Sequence, residues 1–366
     1  WLPLRHPAHG AVGGYAFPLL QAPQLAVSHL ANSPELLALD ALIDKAGSRL
    51  VSEVVTRIDV DGHSLPLWCL SMGNRSPDVP AIGFFGGVHG VERIGSQVLI
   101  AYLGNLVERL QWDVTLHDLL TRLRLVFIPI VNPGGFLRGT RANPAGVDLM
   151  RHAPVEADGD VRWPLGGQRL SPHLPWYRGA LGEALQPEAE AVFKVVRERL
   201  LPHRFSLAVD CHSGFGFRDQ LWFPYARTQQ PLPHLAEAEA LRALFNRTYP
   251  HHSFYLMEPQ CLNYTTHGDL WDFLYDEARQ QQPEKLFLPF TLELGSWAWM
   301  KKNPRQLLDP LGLFNPLLPH RHERVLRRHV TLFDFLQQAC VSHRNWLPQG
   351  AERVLHEQAA MARWYS

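Results

Sequence analysis

The spacing of apolar and polar positions changes repeatedly along this chain, and the changes mark out its elements. From Ser33-Pro34 onward, Leu36, Leu37, Leu39, Leu42 and Ile43 form a stripe at helical spacing that stops near Gly47. Serine before proline, with Glu35 next, is a helix-start pattern, because proline lacks an N–H that the first turn could not pair anyway. Arg49–Val60 and His63–Met72 read as two strands joined through Asp61-Gly62, a dipeptide suited to a tight hairpin. Ala81–Phe85 is a short apolar run that breaks on Gly86-Gly87, and an amphipathic run from Val91 to Leu110 follows. Arg124–Val131 forms another buried strand, closed by the sequence NPGG. Pro187–Leu200 has helical period, with Glu188 and Glu190 early and Lys194, Arg197 and Arg199 late, which matches the helix dipole. Leu207–Cys211 and Leu286–Leu294 are further apolar strands, and Glu323–Cys340 reads as the last long helix. Residues 1–33 are rich in Pro, Gly and His without a period, and 152–180 read as a loop or rim.

Strands alternating with helices predict an α/β protein with a mixed, mostly parallel central sheet flanked by helices. Residues 34–345 are expected to form a single domain, with 1–33 an N-terminal extension and 346–366 a C-terminal tail. At 366 residues, 46% hydrophobic and 19% charged, the chain can bury a sizeable core. Its formal net charge is zero and its pI about 7.5, which gives no electrostatic argument for a nucleic-acid or anionic-membrane partner. No apolar stretch approaches the roughly 18 residues of a membrane span. The opening WLPLRHPAHGAVGG lacks the basic-then-apolar layout of a signal peptide and does not begin with Met; the expectation is a cytoplasmic protein. Cys69, Cys211, Cys261 and Cys340 form no C-x-x-C pair, which argues against a thiolate zinc site and favours a reducing compartment. Oligomeric state is not legible.

Chemistry-bearing residues gather after four of the apolar strands. His89 and Glu92 follow Ala81–Phe85. Arg138, Arg141 and Asn143 follow Arg124–Val131; His212 ends Leu207–Asp210; Glu293 sits at the end of the strand from Leu286. Imidazole nitrogen and carboxylate oxygen are both good zinc ligands, and open α/β sheets bind ligands at the carboxyl ends of their strands. The spacing alone is weak. With 19 histidines, His-x-x-Glu is expected about once by chance at ordinary Glu usage, and it occurs at His89/Glu92, His234/Glu237 and His320/Glu323. The second and third lie in polar helical stretches and read as solvated faces; only the first follows a strand and a glycine turn. No Gly-Lys-Ser/Thr follows GVHGVE, so it is not a phosphate loop, and the chain has no G-x-S-x-G for a serine nucleophile.

Together these residues resemble the M14-type zinc metallocarboxypeptidases, closest in look to bacterial members without a well-defined physiological substrate. The resemblance covers roughly residues 34–340 and rests on HGVE (89–92), RANPAGVDLMR (141–151), QPEAEA (186–191), DCHSG (210–214) and TLEL (291–294), in the family's order and spacing. It implies one zinc per chain held by His89, Glu92 and His212, a ligand set known for carboxypeptidase A and carried over from it. It implies Glu293 as general base, Arg141 as the oxyanion-stabilising arginine, and Arg151 as the grip on the substrate's terminal carboxylate, where a guanidinium fork suits two oxygens. Asp148 matches the carboxylate that orients the first zinc histidine, Tyr264 matches the tyrosine that closes over substrate, and Asn143 joins the substrate-binding candidates. Two departures stand out. Met150 replaces the usual Asn before the carboxylate-binding arginine, and Val91 replaces the Arg often found between the zinc His and Glu, with Arg93 just beyond. The implied activity is removal of a peptide's C-terminal residue. The alternative is a zinc N-acyl amino acid deacylase of the aspartoacylase type, whose usual β-rich C-terminal domain is at odds with the helical reading of residues 320–366. Either substrate, peptide or acylated amino acid, carries a free carboxylate.

Overall fold

Strands and helices alternate through residues 33–366, the part of the chain that the computed structural model describes. In chain order they are α1 (Pro34–Ala46), β1 (Val51–Val60), β2 (His63–Gly73), β3 (Ala81–Gly86), α2 (Arg93–Arg109), α3 (Val114–Thr121), β4 (Arg124–Ile128) and α4 (Pro133–Arg138). Then come α5 (Pro187–Arg199), β5 (Phe205–Ser213), β6 (Asp219–Phe223), α6 (Leu235–Thr248), β7 (Tyr255–Pro259) and α7 (Leu270–Gln281). The last are β8 (Leu286–Leu294), α8 (Trp297–Lys302), α9 (Pro319–Arg328), α10 (Val330–Val341) and α11 (Gly350–Trp364).

The strands form one eight-stranded sheet in the order β1-β2-β4-β3-β5-β8-β6-β7. Its centre, β4-β3-β5-β8, is parallel, as is the β6-β7 pair; β1-β2, β2-β4 and β8-β6 are antiparallel. The expected mixed, mostly parallel sheet is therefore what forms. Strand residues alternate between two core layers. Ile82, Phe84, Leu125, Phe127, Leu207 and Val209 meet the layer that includes α1, α2 and α10. Phe85, Val126, Ile128 and Ala208 meet α5 and α7. Covering on both faces explains why β3, β4 and β5 read as unbroken apolar runs.

Local details sharpen several expectations. Asp61 (φ 50°) and Gly62 (φ 78°) both take the left-handed conformation of a two-residue hairpin turn. Ser33 stands before α1 but does not cap it; its hydroxyl donates to the Phe136 carbonyl at 3.0 Å. The long helix expected over Glu323–Cys340 is two helices. His329 is buried at the junction and bonded to the Tyr255 hydroxyl at 2.9 Å, while Arg328 reaches Asp219 at 2.7 Å, so tertiary anchors turn the chain there. The stretch containing His234 and Glu237 is not a solvated face either. Residues 235–241 of α6 are buried, and Glu237 pairs with Arg353 of α11 at 2.8 Å. All four cysteines are buried and free.

Candidate metal centre

Because β3, β5 and β8 are parallel neighbours, their carboxyl ends share one edge of the sheet. β3 ends at Gly86, and Gly87 turns the chain at φ 66°. A side chain at Gly87 would also fall 2.6 Å from the Ser96 hydroxyl and 2.7 Å from the Phe136 ring, so both conformation and space call for glycine. The turn delivers His89 and then Glu92, the residue just before α2. His212 lies near the end of β5, and register sets it directly opposite Glu293 of β8. On the far side of Glu293, Gln220 of β6 continues the row.

His89, Glu92 and His212 converge, all buried, with one ligand atom from each lying within 4.8 Å of the others. His89 Nδ1 is 2.8 Å from Glu92 Oε1, and His212 Nδ1 is 3.1 Å from Glu92 Oε2. Each ring is held from behind by a carboxylate on its other nitrogen. His89 Nε2 meets Asp148 Oδ1 at 3.0 Å, and His212 Nε2 meets Asp210 Oδ2 at 2.7 Å. Two Nδ1 atoms and one carboxylate, oriented in this way, fit the His₂Glu donor set of zinc, with histidines fixed by outer carboxylates. This is the one such cluster of His, Cys, Asp and Glu among the described residues.

The electrostatics are those of a buried charge network. Burial alone would raise the Glu92 carboxyl, but the charges and hydrogen bonds of His89 and His212 outweigh it and hold Glu92 well below the usual carboxylate range. Burial opposes charging of His212, yet Asp210 and Glu92 push its pKa well above the usual histidine value. Asp148 is held well below its usual range, against burial, by Arg141 and His89. Glu293 moves the other way. Burial and the nearby Glu92 charge lift it to about 8, against His212 and Arg141. Its Oε2 is buried without a hydrogen-bond partner, a costly state that marks an unmet interaction.

Around this centre the structure places the remaining expected residues. Arg141 Nε donates to Asp148 Oδ2 at 2.8 Å and its Nη1 to Glu92 Oε1 at 3.0 Å, so its positive charge lies beside the cluster. Arg151 is buried; its Nε and Nη1 donate to the carbonyls of Leu165 (3.2 Å) and Met150 (3.1 Å), which fixes the guanidinium plane. The Tyr264 ring lies 6.0 Å from the Arg151 guanidinium and packs on Phe215 and Trp222. Asn143 is engaged elsewhere. Its amide donates to Gln186 Oε1 (2.9 Å) and Glu188 Oε2 (3.0 Å) and accepts from the Ala145 and Val147 amides, so its hydrogen-bonding capacity goes to the loop and none is left for substrate. Arg138 stays outside, paired with Asp61 at 2.8 Å. Arg93 turns toward α1, donating to Glu35 (3.1 Å) and to the Phe136 carbonyl (3.0 Å), and so does not stand in for the arginine that Val91 displaces.

Sequence reasoning missed Asp210. The signal was present, since residues two apart on a strand share a face and Asp210 precedes His212 by two. It did not reach Trp271, whose indole N–H donates to the same Asp210 Oδ2 at 2.9 Å and ties α7 to the centre. On the same helix, Asp272 accepts from the Ala226 and Arg227 amides. Asp269 caps α7 through the Trp271 and Asp272 amides.

The sheet and its edge cluster define a mixed α/β domain with a buried His-Glu-His cluster, able to hold a metal ion, at the carboxyl ends of parallel strands. The model of the zinc carboxypeptidase family matches residues 51–303, and the chain belongs to that family. A carboxypeptidase B of the moth Helicoverpa zea is 27% identical over 212 residues, covering 53% of this chain and 46% of the relative. A carboxypeptidase D of the duck Anas platyrhynchos is 23% identical over 202 residues, covering 54% of this chain and 13% of the relative. The chain thus spans less than half the length of either. Thrombin-activatable fibrinolysis inhibitor superposes with a TM-score of 0.61 at 18% identity, over 83% of this chain and 72% of that one. The bovine form, solved with a tick carboxypeptidase inhibitor, gives 0.60 at 16% identity, over 85% and 97%. At such identity the superpositions speak for the fold.

Proposed function

We propose that this chain is a zinc-dependent carboxypeptidase that removes the C-terminal residue of a peptide. The observation that carries the reading is the buried His89–Glu92–His212 cluster with Glu293, its Oε2 unpartnered, opposite His212. Bound by those three residues, one zinc ion supplies a Lewis acid for the scissile carbonyl and lowers the pKa of water to about 7. Glu293 takes the proton of the attacking water on its free Oε2 and passes it to the leaving amine. Burial and the Glu92 charge raise this carboxyl in the metal-free chain, and the positive charge of a bound zinc beside it would return it toward the ionised form that accepts a proton. Arg141, aligned by Asp148, places positive charge where the oxyanion develops. Arg151, its plane set by two backbone carbonyls, receives the substrate's terminal carboxylate, with Tyr264 alongside. Asp148 and Asp210 orient the two histidines.

The test is turnover of C-terminally varied peptides beside N-acyl amino acids, before and after chelation and zinc return. Release of C-terminal residues that chelation abolishes and zinc restores is expected. Preference for N-acyl amino acids would move the assignment to the deacylases, and turnover indifferent to chelation would refute both.

A further inference from the structure

Glu92 occupies the N-cap position of α2, where a side chain ordinarily accepts an N–H of the first turn. Its carboxylate is unavailable for that task. Oε1 is engaged by His89 and Arg141, and Oε2 by His212 and the Ser213 amide at 3.0 Å. No side-chain cap comes from Glu92 itself. The cap arrives from far along the chain. Asn315 Oδ1 accepts the Ile94 amide at 2.9 Å, and its Nδ2 donates to the Val91 carbonyl at 2.8 Å and the Leu311 carbonyl at 2.9 Å. One buried amide therefore brackets Glu92, bonding the residue before it and the second residue after it. The opposite side of the helix start is pressed against β5. A side chain at Gly95 would lie 2.4 Å from the Cys211 carbonyl oxygen, one residue before His212. The neighbour of Asn315, Phe314, reaches Gly214 on the other side of His212, where a side chain would fall 2.9 Å from the Phe314 ring.

We propose that Asn315 is a positioning residue of the metal centre, fixing the backbone of Glu92 so that its carboxylate faces His89 and His212, and that the segment around it belongs functionally to the zinc site. The proposal rests on the zinc reading above. Glu92 itself lies outside helical geometry, at φ −93° and ψ 59°; its own N–H bonds the His89 carbonyl at 3.1 Å, and Asn315 holds the backbone on either side of it. Without the Asn315 bonds an N–H and a carbonyl beside the ligand lose their partner, and the backbone that aims the carboxylate is held less firmly.

The experiment compares Asn315→Ala and Asn315→Asp with the parent protein. Three quantities are read: zinc affinity by competition with a chromophoric chelator, the visible spectrum of the cobalt(II)-substituted protein, and the Tm of the metal-free form. Asn315→Ala is expected to weaken zinc about 10-fold or more and to alter the cobalt spectrum. Asn315→Asp, which keeps the acceptor for Ile94 and loses both donors, should alter the spectrum to a smaller degree. A fall in metal-free Tm with zinc affinity and cobalt spectrum unchanged would make Asn315 a helix cap only and overturn the proposal. Should Asn315→Ala fail to fold, the near-isosteric Asp variant decides: an unchanged cobalt spectrum overturns the proposal. If the parent protein binds no stoichiometric zinc, the metal reading itself fails and takes this one with it.

Discussion

Replacing Glu293 with glutamine should remove activity and, in the metal-free protein, raise stability in a pH-dependent way. In the folded chain the Glu293 carboxyl titrates at about 8, against an ordinary value of 4.5, because burial and the Glu92 charge disfavour its ionised form. Below pH 4.5 it is protonated whether folded or unfolded, so it adds no pH dependence. Between 4.5 and 8 the unfolded chain releases the proton and the folded chain keeps it, so stability falls as pH rises, and the full penalty is present above 8. Each pH unit of that interval corresponds to about 1.4 kcal/mol, which sets a ceiling of about 5 kcal/mol. Local relaxation and water entry absorb part of it, so a gain of about 1–3 kcal/mol is expected, or a few degrees in Tm for a chain of this size. Glutamine mimics the protonated acid and carries no such penalty. Calorimetry of the metal-free proteins at pH 5, 6.5 and 8 should therefore show the Glu293→Gln variant matching the parent at low pH and pulling ahead as pH rises. With zinc bound, kcat should fall by about 10²–10⁴ while the metal is retained. Parallel Tm profiles across the pH range would refute the reasoning, since Glu293 would then be compensated in a way that its unpartnered Oε2 denies.

Two further outcomes follow from the same network. Asp210→Asn removes the charge that holds His212 from behind at 2.7 Å and should weaken zinc about 10–100-fold in chelator competition; unchanged affinity would remove Asp210 from the centre. Arg151→Lys trades a planar fork for a point charge, so steady-state kinetics on peptides with free carboxyl ends should show KM rising about 10-fold or more with kcat less affected. A loss confined to kcat would place Arg151 in the chemical step and not in substrate binding.

The sequence by itself determined what depends on neighbours along the chain. The run from Ala81 through Glu92 announced strand, turn and ligand pair, because a buried parallel strand needs an unbroken apolar run and the turn needs glycine. The helices at Pro34 and Pro187 were legible from their periods and their starting residues. Shorter elements were not. β6 and β7, five residues each, carry too few alternations to stand out from loops. The break at His329 has no local breaker, since its anchors are distant in the chain, Tyr255 on β7 and Asp219 on β6.

The centre divides along the same line. The ligand triad and Glu293 could be assembled from motif order and resemblance, and the structure brings them together. What set Glu293 opposite His212 is the insertion of β8 between β5 and β6, a choice of strand neighbours made by packing. Asn143, placed beside the candidate arginine by sequence, is taken up by Gln186 and Glu188 from a later helix start. Trp271 and Asn315 reach the centre across 61 and more than 200 residues. Periodicity and composition report what a residue needs nearby in the chain. Only the folded structure decides which distant group supplies it, because that depends on which layers close over one another.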